Sequence, residues 1–183
     1  MIHLQRVQAI TKEQSRIIAK WYNDPEIAPK IHVNRKEEPL PYMDNETLFE
    51  QMNKSATNKH VLLAFDDEKL IGDCSVDMQF MMLGKEEEDT AWISICIGDK
   101  DYWGNGTGKL MMAQLEDFCW SLGAKRIELG VFELNTAARR FYEKCQYHPF
   151  KTFPNFTFYD GRWWDDYRME KVRPIADPTQ NKA

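Results

Sequence analysis

The chain has 183 residues, of which 43% are hydrophobic and 29% charged, and its formal net charge is −5. These values exclude a disordered or low-complexity chain and are typical of one domain with a substantial core. The acidic balance disfavours binding to nucleic acid through its phosphates and suits cationic partners such as amines. We expect a single domain over residues 1–173, followed by a loose tail at 174–183.

Neither a membrane nor a metal is expected as a partner. No stretch approaches 18 apolar residues, and the N-terminus turns polar within six residues, which predicts a cytoplasmic protein with no secretory signal. Four cysteines are widely spaced and lack the spacing of metal ligands, so we interpret them as reduced thiols. They are Cys74, Cys96, Cys119 and Cys145.

The first third of the chain predicts one strand and two helices. Residues 3–7 alternate as a strand does, and Thr11 with Gln14 forms a capping box for a helix that ends near residues 23–25. The next segment holds four prolines and is predicted to lack regular structure. A second helix is predicted from about Asp44.

The rest of the chain is mainly predicted strands, with two helices between them. Strands are expected at 60–65, 70–80, 92–97 and 126–132, and two more on either side of Asp160-Gly161. One helix follows a glycine-rich turn at 104–108 and ends at Gly123, and another is capped by Asn135. The predicted order is therefore β-α-α-β-β-β-α-β-α-β-β.

The glycine-rich turn is the most informative segment. Gly104, Gly106 and Gly108 alternate between a predicted strand and an amphipathic helix. Glycines let a backbone approach a ligand, and a helix N-terminus offers free N–H groups, which together predict a phosphate or pyrophosphate site. The P-loop pattern fails at Trp103 and Leu110, and the dinucleotide-binding pattern fails at residue 109. A simple flexible turn is the structural alternative.

A second block of residues follows about thirty positions later. It contains Asn135, Ala138, Tyr142, Glu143 and Lys144. In this order and spacing, the two blocks resemble the motifs [QR]-x-x-G-x-[GA] and N-x-x-[AS]-x-x-x-Y-E-K-x-G-F of the GNAT superfamily of acetyl-CoA-dependent N-acetyltransferases. The resemblance spans essentially the whole chain. It is closest to the branch with aminoglycoside 6′-, polyamine and ribosomal-protein alanine acetyltransferases.

The resemblance implies an α/β (α+β) fold with a mixed central sheet of about six to seven strands and about four flanking helices. It also implies a site for acetyl-CoA as cosubstrate. The pantetheine arm is expected along the strand before the glycine turn and the pyrophosphate on the turn itself, with the next helix beside them. The residues so implied are Ile95, Cys96, Ile97, Trp103, Gly104, Asn105, Gly106, Thr107, Gly108, Asn135, Ala138 and Tyr142.

Tyr142 is the expected general acid. A phenol has a pKa near 10, close to that of a thiol, so it can protonate the departing CoA thiolate. The structural alternative is a tyrosine packed on an apolar helix face. An acceptor amine must also lose a proton, and here we rank water first, with Asp73 and Glu133 as the carboxylate alternatives.

Three positions depart from the family pattern. Trp103 replaces the usual Gln or Arg of the turn, which removes one phosphate donor. Gln146-Tyr147 replaces Gly-Phe, which predicts a different turn after the helix. Trp92 stands where relatives often carry a Glu, which puts a base on that strand in doubt.

The expected reaction is direct attack of a primary amine on acetyl-CoA in a ternary complex. The acceptor is expected to be a cationic small molecule, aminoglycoside-like or polyamine-like. The alternatives are a protein N-terminal or lysine acetyltransferase and a non-catalytic acyl-CoA-binding module. Acidic residues at 86–89 and 165–166 would attract a cation or simply be solvated. Aromatic residues in the tail would line the acceptor pocket, the core or a homodimer face: Phe153, Phe156, Phe158, Tyr159, Trp163 and Trp164.

Overall fold

The computed structural model describes residues 1–54 and 59–174. Its centre is a seven-stranded sheet in the order β1-β2-β3-β4-β5-β7-β6, in which only β4 and β5 pair in parallel. The strands are β1 Ile2–Val7, β2 Lys59–Asp66, β3 Lys69–Asp77, β4 Thr90–Ile97, β5 Arg126–Phe132, β6 His148–Tyr159 and β7 Arg162–Val172. The mixed sheet is confirmed, although β3 ends three residues earlier than predicted.

Five helices accompany the sheet: α1 Lys12–Tyr22, α2 Ala28–Ile31, α3 Asn45–Asn53, α4 Thr107–Ser121 and α5 Thr136–Lys144. The capping box of α1 is confirmed, because Thr11 accepts from the Gln14 N–H and Gln14 reaches back to the Thr11 N–H. The prediction that the proline-rich segment lacks regular structure is wrong over one turn. α2 lies within it, since a proline in the first turn of a helix has no N–H to satisfy.

The two faces of the sheet are covered by different helices. Helices α4 and α5 pack on the first face, where Met111, Met112 and Leu115 join the apolar residues of β3, β4 and β5 in the main core. Helices α1 and α3 cover part of the second face, and Ile18 and Leu48 are buried there against β2 and the start of β3. The middle of the second face is left for polar residues.

Four buried charged residues lie on β5 and β7, and we call them the charge cluster: Arg126, Glu128, Asp166 and Arg168. Glu128 accepts from Arg126 at 2.6 Å and from Arg168 at 3.3 Å, and Arg168 donates to Asp166 at 2.6 Å. The same residues hold the loop at 78–89, through Glu128 with the Gly84 N–H and Arg168 with the Met82 carbonyl. This loop therefore covers one end of the second face.

The acidic and aromatic residues of the chain's second half mostly serve contacts within the chain. Glu87 and Asp89 pair with Arg126 and Lys125, and Asp165 accepts from the Asn155 N–H. In the hairpin of β6 and β7, Phe156 is buried, and the other aromatic residues named above are half-buried.

Two predictions concern the ends of helices and of the chain. Gln146 takes a φ of +67°, the left-handed conformation that glycine favours. The turn after α5 therefore does not change as predicted, and Gln146 instead adopts, with some strain, the conformation of the glycine it replaces. The predicted loose tail at 174–183 lies, apart from Pro174, outside the described residues.

Candidate active site

The two central strands separate part-way along the sheet. β4 and β5 pair only at residues 90–92 with 126–128, although β4 continues to Ile97 and β5 to Phe132. β4 stays paired with β3 on its other side. Because N–H and C=O groups alternate between the two sides of a strand, those of β4 that face the gap have no strand partner. The gap therefore leaves backbone hydrogen-bonding groups available to an extended ligand.

A cleft of about 530 Å³ opens beside the free part of β4. It is bounded by β4, by the glycine turn with the start of α4, by α5, and by the segment from α1 to α2. The lining residues are Glu26, Ile27, Lys30, Ile31, Ile95, Cys96, Ile97, Trp103, Gly104, Gly106, Gly108, Lys109, Asn135, Ala137, Ala138, Phe141, Tyr142 and Lys144. Ten of the twelve residues expected in the acetyl-CoA site are among them, and only Asn105 and Thr107 are not.

The glycine turn is shaped by backbone conformation. Gly106 is the N-cap of α4 with a φ of +93°, a conformation that residues with a side chain rarely adopt, and no atom lies within 4 Å of a Cβ added there. Asn105 braces the turn from outside the cleft, because its Oδ1 accepts from the Thr107 N–H at 3.2 Å and from the Thr107 hydroxyl at 2.8 Å.

Two of the six N–H groups in the turn are already used. The Trp103 N–H donates to the Lys100 carbonyl at 3.0 Å, and the Thr107 N–H donates to Asn105. Within the described residues, the N–H groups at 104, 105, 106 and 108 donate to no protein acceptor. Four donors at a helix N-terminus remain available for an anion.

Trp103 has a structural role where the family motif has a polar side chain. Its Nε1–H donates to the Ile97 carbonyl at 2.8 Å, which ties the turn to the end of β4. Lys30 and Lys100 lie over its ring, at 5.5 Å and 5.8 Å from the centroid. The indole therefore fixes the spacing between the free strand and the glycine turn.

Three lysines line the cleft that the sequence analysis did not identify: Lys30, Lys109 and Lys144. Lys109 follows the last glycine of the turn, and Lys144 was recognised as a motif residue but not as part of the cosubstrate site. Lys30 lies in the proline-rich segment, where no pattern marked it. With one carboxylate, Glu26, on the same wall, the cleft has an excess of positive charge although the chain is acidic.

Tyr142 lies on α5 against the core, with 8% of its surface exposed. Burial raises the pKa of its phenol well above the usual value near 10. Its hydroxyl has no hydrogen-bond partner among the described residues, and its ring packs near Phe141 and Tyr147. The phenol therefore stays protonated beside the cleft, but it is a weaker acid than a free tyrosine, and the close match to the pKa of a thiol that the sequence analysis assumed is not found. Asn135 caps α5 by accepting from the Ala138 N–H at 3.2 Å, so its predicted capping role is confirmed.

The candidate proton acceptors lie in three different settings. Glu133 is held at the far end of β5 near Arg162, at 3.8 Å, and does not line the cleft. Trp92 stacks on Phe80 with 4.4 Å between ring centroids and carries no acid–base group. Asp73 lies on β3 directly opposite Cys96 of β4 and is 4% exposed.

The four cysteines are free thiols, and Cys96 is the one that lines the cleft. Burial raises the pKa of the Cys74 and Cys96 thiols well above their usual range, so both stay protonated. In residues 1–54 and 59–174, no three His, Cys, Asp or Glu side chains lie together as metal ligands would. None of the helices in that part of the chain has the length and hydropathy needed to cross a bilayer.

Comparison with known proteins agrees with this geometry. The model of the acetyltransferase (GNAT) family matches residues 17–147. A spermidine N-acetyltransferase from Vibrio cholerae, solved with CoA and spermine, superposes with a TM-score of 0.75 at 22% identity, over 93% of this chain and 95% of that one. A ribosomal-protein-alanine N-acetyltransferase from Brucella melitensis gives 0.72 at 17% identity, over 93% and 99%.

A third solved structure is yncA from Salmonella typhimurium with its cofactor acetyl-CoA. It gives a TM-score of 0.68 at 17% identity, over 98% of this chain and 99% of that one. No curated protein matches the chain significantly by sequence. At sequence identities of 17% to 22%, the solved structures establish the fold alone, and the match to the family model establishes membership of the family.

Proposed function

The chain belongs to the acetyltransferase (GNAT) family and is an acetyl-CoA-dependent acyltransferase, and from this premise we propose that it acetylates a primary amine of a cationic small molecule. The observation that carries the proposal is the cleft at the gap between β4 and β5. Backbone groups of β4 without a strand partner line one wall of this cleft, and four free N–H groups of the glycine turn lie at one end of it.

Acetyl-CoA fits this cleft by chemistry at both ends. The amide-containing pantetheine arm pairs with the unpaired edge of β4 at residues 95–97, while the pyrophosphate takes the free N–H groups at the start of α4. Lys30, Lys109 and Lys144 add positive charge around the phosphates. Asn135 and Ala138 border the cleft from α5, and Asn105 and Thr107 support the turn from behind.

The reaction needs no covalent enzyme intermediate, because acetyl-CoA is already an activated thioester. The ammonium R–NH₃⁺ loses one proton, and the lone pair of R–NH₂ then forms a bond to the thioester carbon. When the C–S bond breaks, the sulfur takes the phenolic proton of Tyr142. The proton left on the amide nitrogen restores the phenol, so that acetylated amine, CoA thiol and one proton are released.

The choice of acceptor rests on the charge of the chain and on similarity to known acetyltransferases. The acidic chain favours a cation. Similarity to a spermidine N-acetyltransferase is the reason to place polyamines first in a panel, followed by aminoglycosides and peptides with free N-termini or lysines. The homodimer considered for the aromatic hairpin stays a prediction.

Release of CoA thiol from acetyl-CoA in the presence of each amine tests the reaction. We expect turnover with at least one small polyamine or aminoglycoside, at a higher kcat/KM than with any peptide. Preference for a peptide would favour the protein acetyltransferase. Tight acetyl-CoA binding with no turnover on any amine would overturn the proposal.

Gly106→Val tests the location of the cosubstrate. Valine at a φ of +93° is strained, so the turn must change and acetyl-CoA binding is expected to fall by at least about 100-fold. Gly123→Val is the matched control, because Gly123 has a φ of +91° with equally open surroundings but lies at the other end of α4. Calorimetric titration measures both. Equal losses in the two variants would place the cosubstrate elsewhere.

Tyr142→Phe tests the general acid. We expect kcat to fall by about 10²-fold or more, with acetyl-CoA affinity changed little, because only proton donation is removed. Tyr147→Phe is the control, since Tyr147 is a neighbouring buried phenol outside the cleft whose hydroxyl lies 3.7 Å from the Met112 sulfur. An unchanged kcat in Tyr142→Phe would remove the residue from the mechanism.

A further inference from the structure

Three cross-strand pairs place polar residues on the second face of the sheet, away from α4 and α5. The register of β3 with β4 sets Asp73 opposite Cys96, Ser75 opposite Ser94, and Asp77 opposite Trp92. Residues directly opposite each other in an antiparallel pair point to the same face. We call Asp73, Ser75, Asp77, Ser94 and Cys96 the polar strip.

The polar strip is open at its centre. Ser94 is exposed although β4 is the middle strand of seven, and its hydroxyl lies 2.6 Å from that of Ser75. α1 closes one end, where Trp21 packs so tightly on Gly98 that an added Cβ would lie 1.9 Å from the indole. The stacked rings of Phe80 and Trp92 close the other. A central strand with an exposed serine leaves room for a ligand of modest size.

The strip and the cleft communicate through the sheet. Beyond Trp92, no hydrogen bonds join β4 to β5, so the sheet is open between its two faces at this point. Cys96 belongs to the strip and also lines the cleft, whereas its neighbours Ile95 and Ile97 pack toward the core on the first face. Only β4 therefore separates a molecule bound on the strip from a molecule bound in the cleft.

Asp73 is the unusual member of the strip. Its Oδ2 accepts from the Tyr22 hydroxyl at 2.7 Å, while its Oδ1 is buried and has no partner among the described residues. An unsatisfied buried carboxylate oxygen is costly, and proteins usually satisfy such groups. No charged side chain of the described residues compensates Asp73, and burial raises its pKa to about 6.

We propose that Asp73, held by Tyr22, receives the proton that the acceptor amine loses before it attacks acetyl-CoA. This inference rests on the proposed function and assigns the base for it. The amine binds at the open centre of the polar strip, next to the gap in the sheet. Oδ1 is closed to solvent as well as to a bulky amine in this structure, so the transfer requires one water to enter the strip beside it.

The step balances with the species already named. One N–H bond of R–NH₃⁺ breaks, its electron pair stays on nitrogen, and the proton forms an O–H bond at Asp73 Oδ1. The neutral amine then attacks, and the proton on Asp73 passes to solvent before the next turnover. It is the single proton that the overall reaction releases.

Few other titratable groups lie near Asp73, which helps to identify its titration in a pH–rate profile. Tyr22 of α1 and Cys96 of β4 are titratable groups that face Asp73, and β2 contributes the apolar Leu63. The adjacent Cys74 is also titratable but points into the core on the first face. Burial raises the pKa of each of these three groups, so none of them ionises near pH 6. His32 packs edge-on against Tyr22, with 5.9 Å between ring centroids, so an acid limb is assigned to Asp73 only if it disappears in Asp73→Asn.

The test is the pH dependence of kcat/KM with the best amine, between pH 5 and 9. The wild-type rate should fall as pH drops through about 6, because Asp73 must be ionised to accept a proton. Asp73→Asn should lower kcat about 10²-fold or more and abolish the acid limb, with acetyl-CoA affinity unchanged. Tyr22→Phe should move the limb to higher pH, because the Tyr22 hydrogen bond lowers the pKa of Asp73.

Glu116→Gln is the matched control, because Glu116 is the other carboxylate with a buried, unpartnered oxygen and lies outside the cleft. It should keep the limb. A limb that persists in Asp73→Asn, or a full rate in that variant, overturns this inference while the proposed function stands. If the wild-type protein turns over no amine, the proposed function fails, and this inference with it.

Discussion

Asp73 and Glu128 are both buried carboxylates on the second face of the sheet, two strands apart. Glu128 is fully buried, with both oxygens satisfied by Arg126, Arg168 and the Gly84 N–H. Asp73 has one hydrogen bond from Tyr22 and no cation. Burial alone therefore does not distinguish a functional carboxylate from a structural one. A carboxylate fixed by two cations has no capacity left, whereas one with a free oxygen can still take a proton.

The two carboxylates also differ in what covers them. The loop at 78–89 lies over Glu128, tied down through its own backbone at Met82 and Gly84. The end of α1 covers Asp73 through Tyr22, and the exposed Ser94 is on the neighbouring strand. The charge cluster therefore closes one side of the polar strip and leaves the other side for chemistry.

The largest effect that separates the two sites is expected from Glu128→Gln. Neutralising Glu128 leaves Arg126 and Arg168 with less buried negative charge, so the free energy of unfolding should fall by about 3–5 kcal/mol. Urea unfolding followed by circular dichroism measures it. The control Glu143→Gln removes a carboxylate from a half-exposed pair with Arg139 and should change stability by no more than about 0.5 kcal/mol. A loss below 1 kcal/mol for Glu128→Gln would contradict the contrast.

A smaller effect of opposite sign is expected from Asp73→Asn. The pKa of Asp73 is raised from 3.8 to about 6, so the folded state prefers the protonated form. That contribution is complete below pH 3.8 and is lost as pH rises through 6. At pH 8 the variant should therefore be more stable than wild type by up to about 3 kcal/mol. The gain should vanish near pH 3.5, and a gain independent of pH would contradict the assignment.

Asp73→Asn should thus be more stable and less active at the same pH. Glu128→Gln should lose stability and also the anchoring of the loop at 78–89, whose Gly84 N–H donates to Glu128. Measuring both quantities in both variants separates a carboxylate retained for chemistry from one retained for structure.

The smallest effect is expected at the edge of the charge cluster. Lys85 donates to Glu170 at 2.6 Å, but its side chain is 40% exposed. A solvated pair of this kind contributes little, so Lys85→Met should change the free energy of unfolding by about 0.5 kcal/mol or less. The same urea experiment measures it. A change as large as that of Glu128→Gln would show that the cluster extends to the surface.

The sequence predicted the features that depend on near neighbours in the chain. Thr11 and Gln14 predicted the start of α1, Gly123 predicted the end of α4, and Asn135 predicted the N-cap of α5. These predictions succeeded because a cap involves residues within one helical turn. The resemblance carried by the glycine turn and the α5 motif gave ten of the residues that line the cleft, three of which lie on the strand before the turn. Gln146 shows the limit, since a sequence pattern does not reveal that a non-glycine residue tolerates a positive φ.

What the sequence determined by itself is the order of the strands and of every helix except α2, because these follow from hydrophobic periodicity and local motifs. The mixed sheet and the cosubstrate site were implied by the resemblance of two of those motifs to the family. What only the tertiary structure decided is which side chains meet from distant parts of the chain. Lys30 reaches the cleft from α2, and Tyr22 reaches Asp73 across 51 positions. The sheet register alone places Ser94, exposed, beside Ser75. Such contacts depend on strand register and helix packing, which no local pattern encodes.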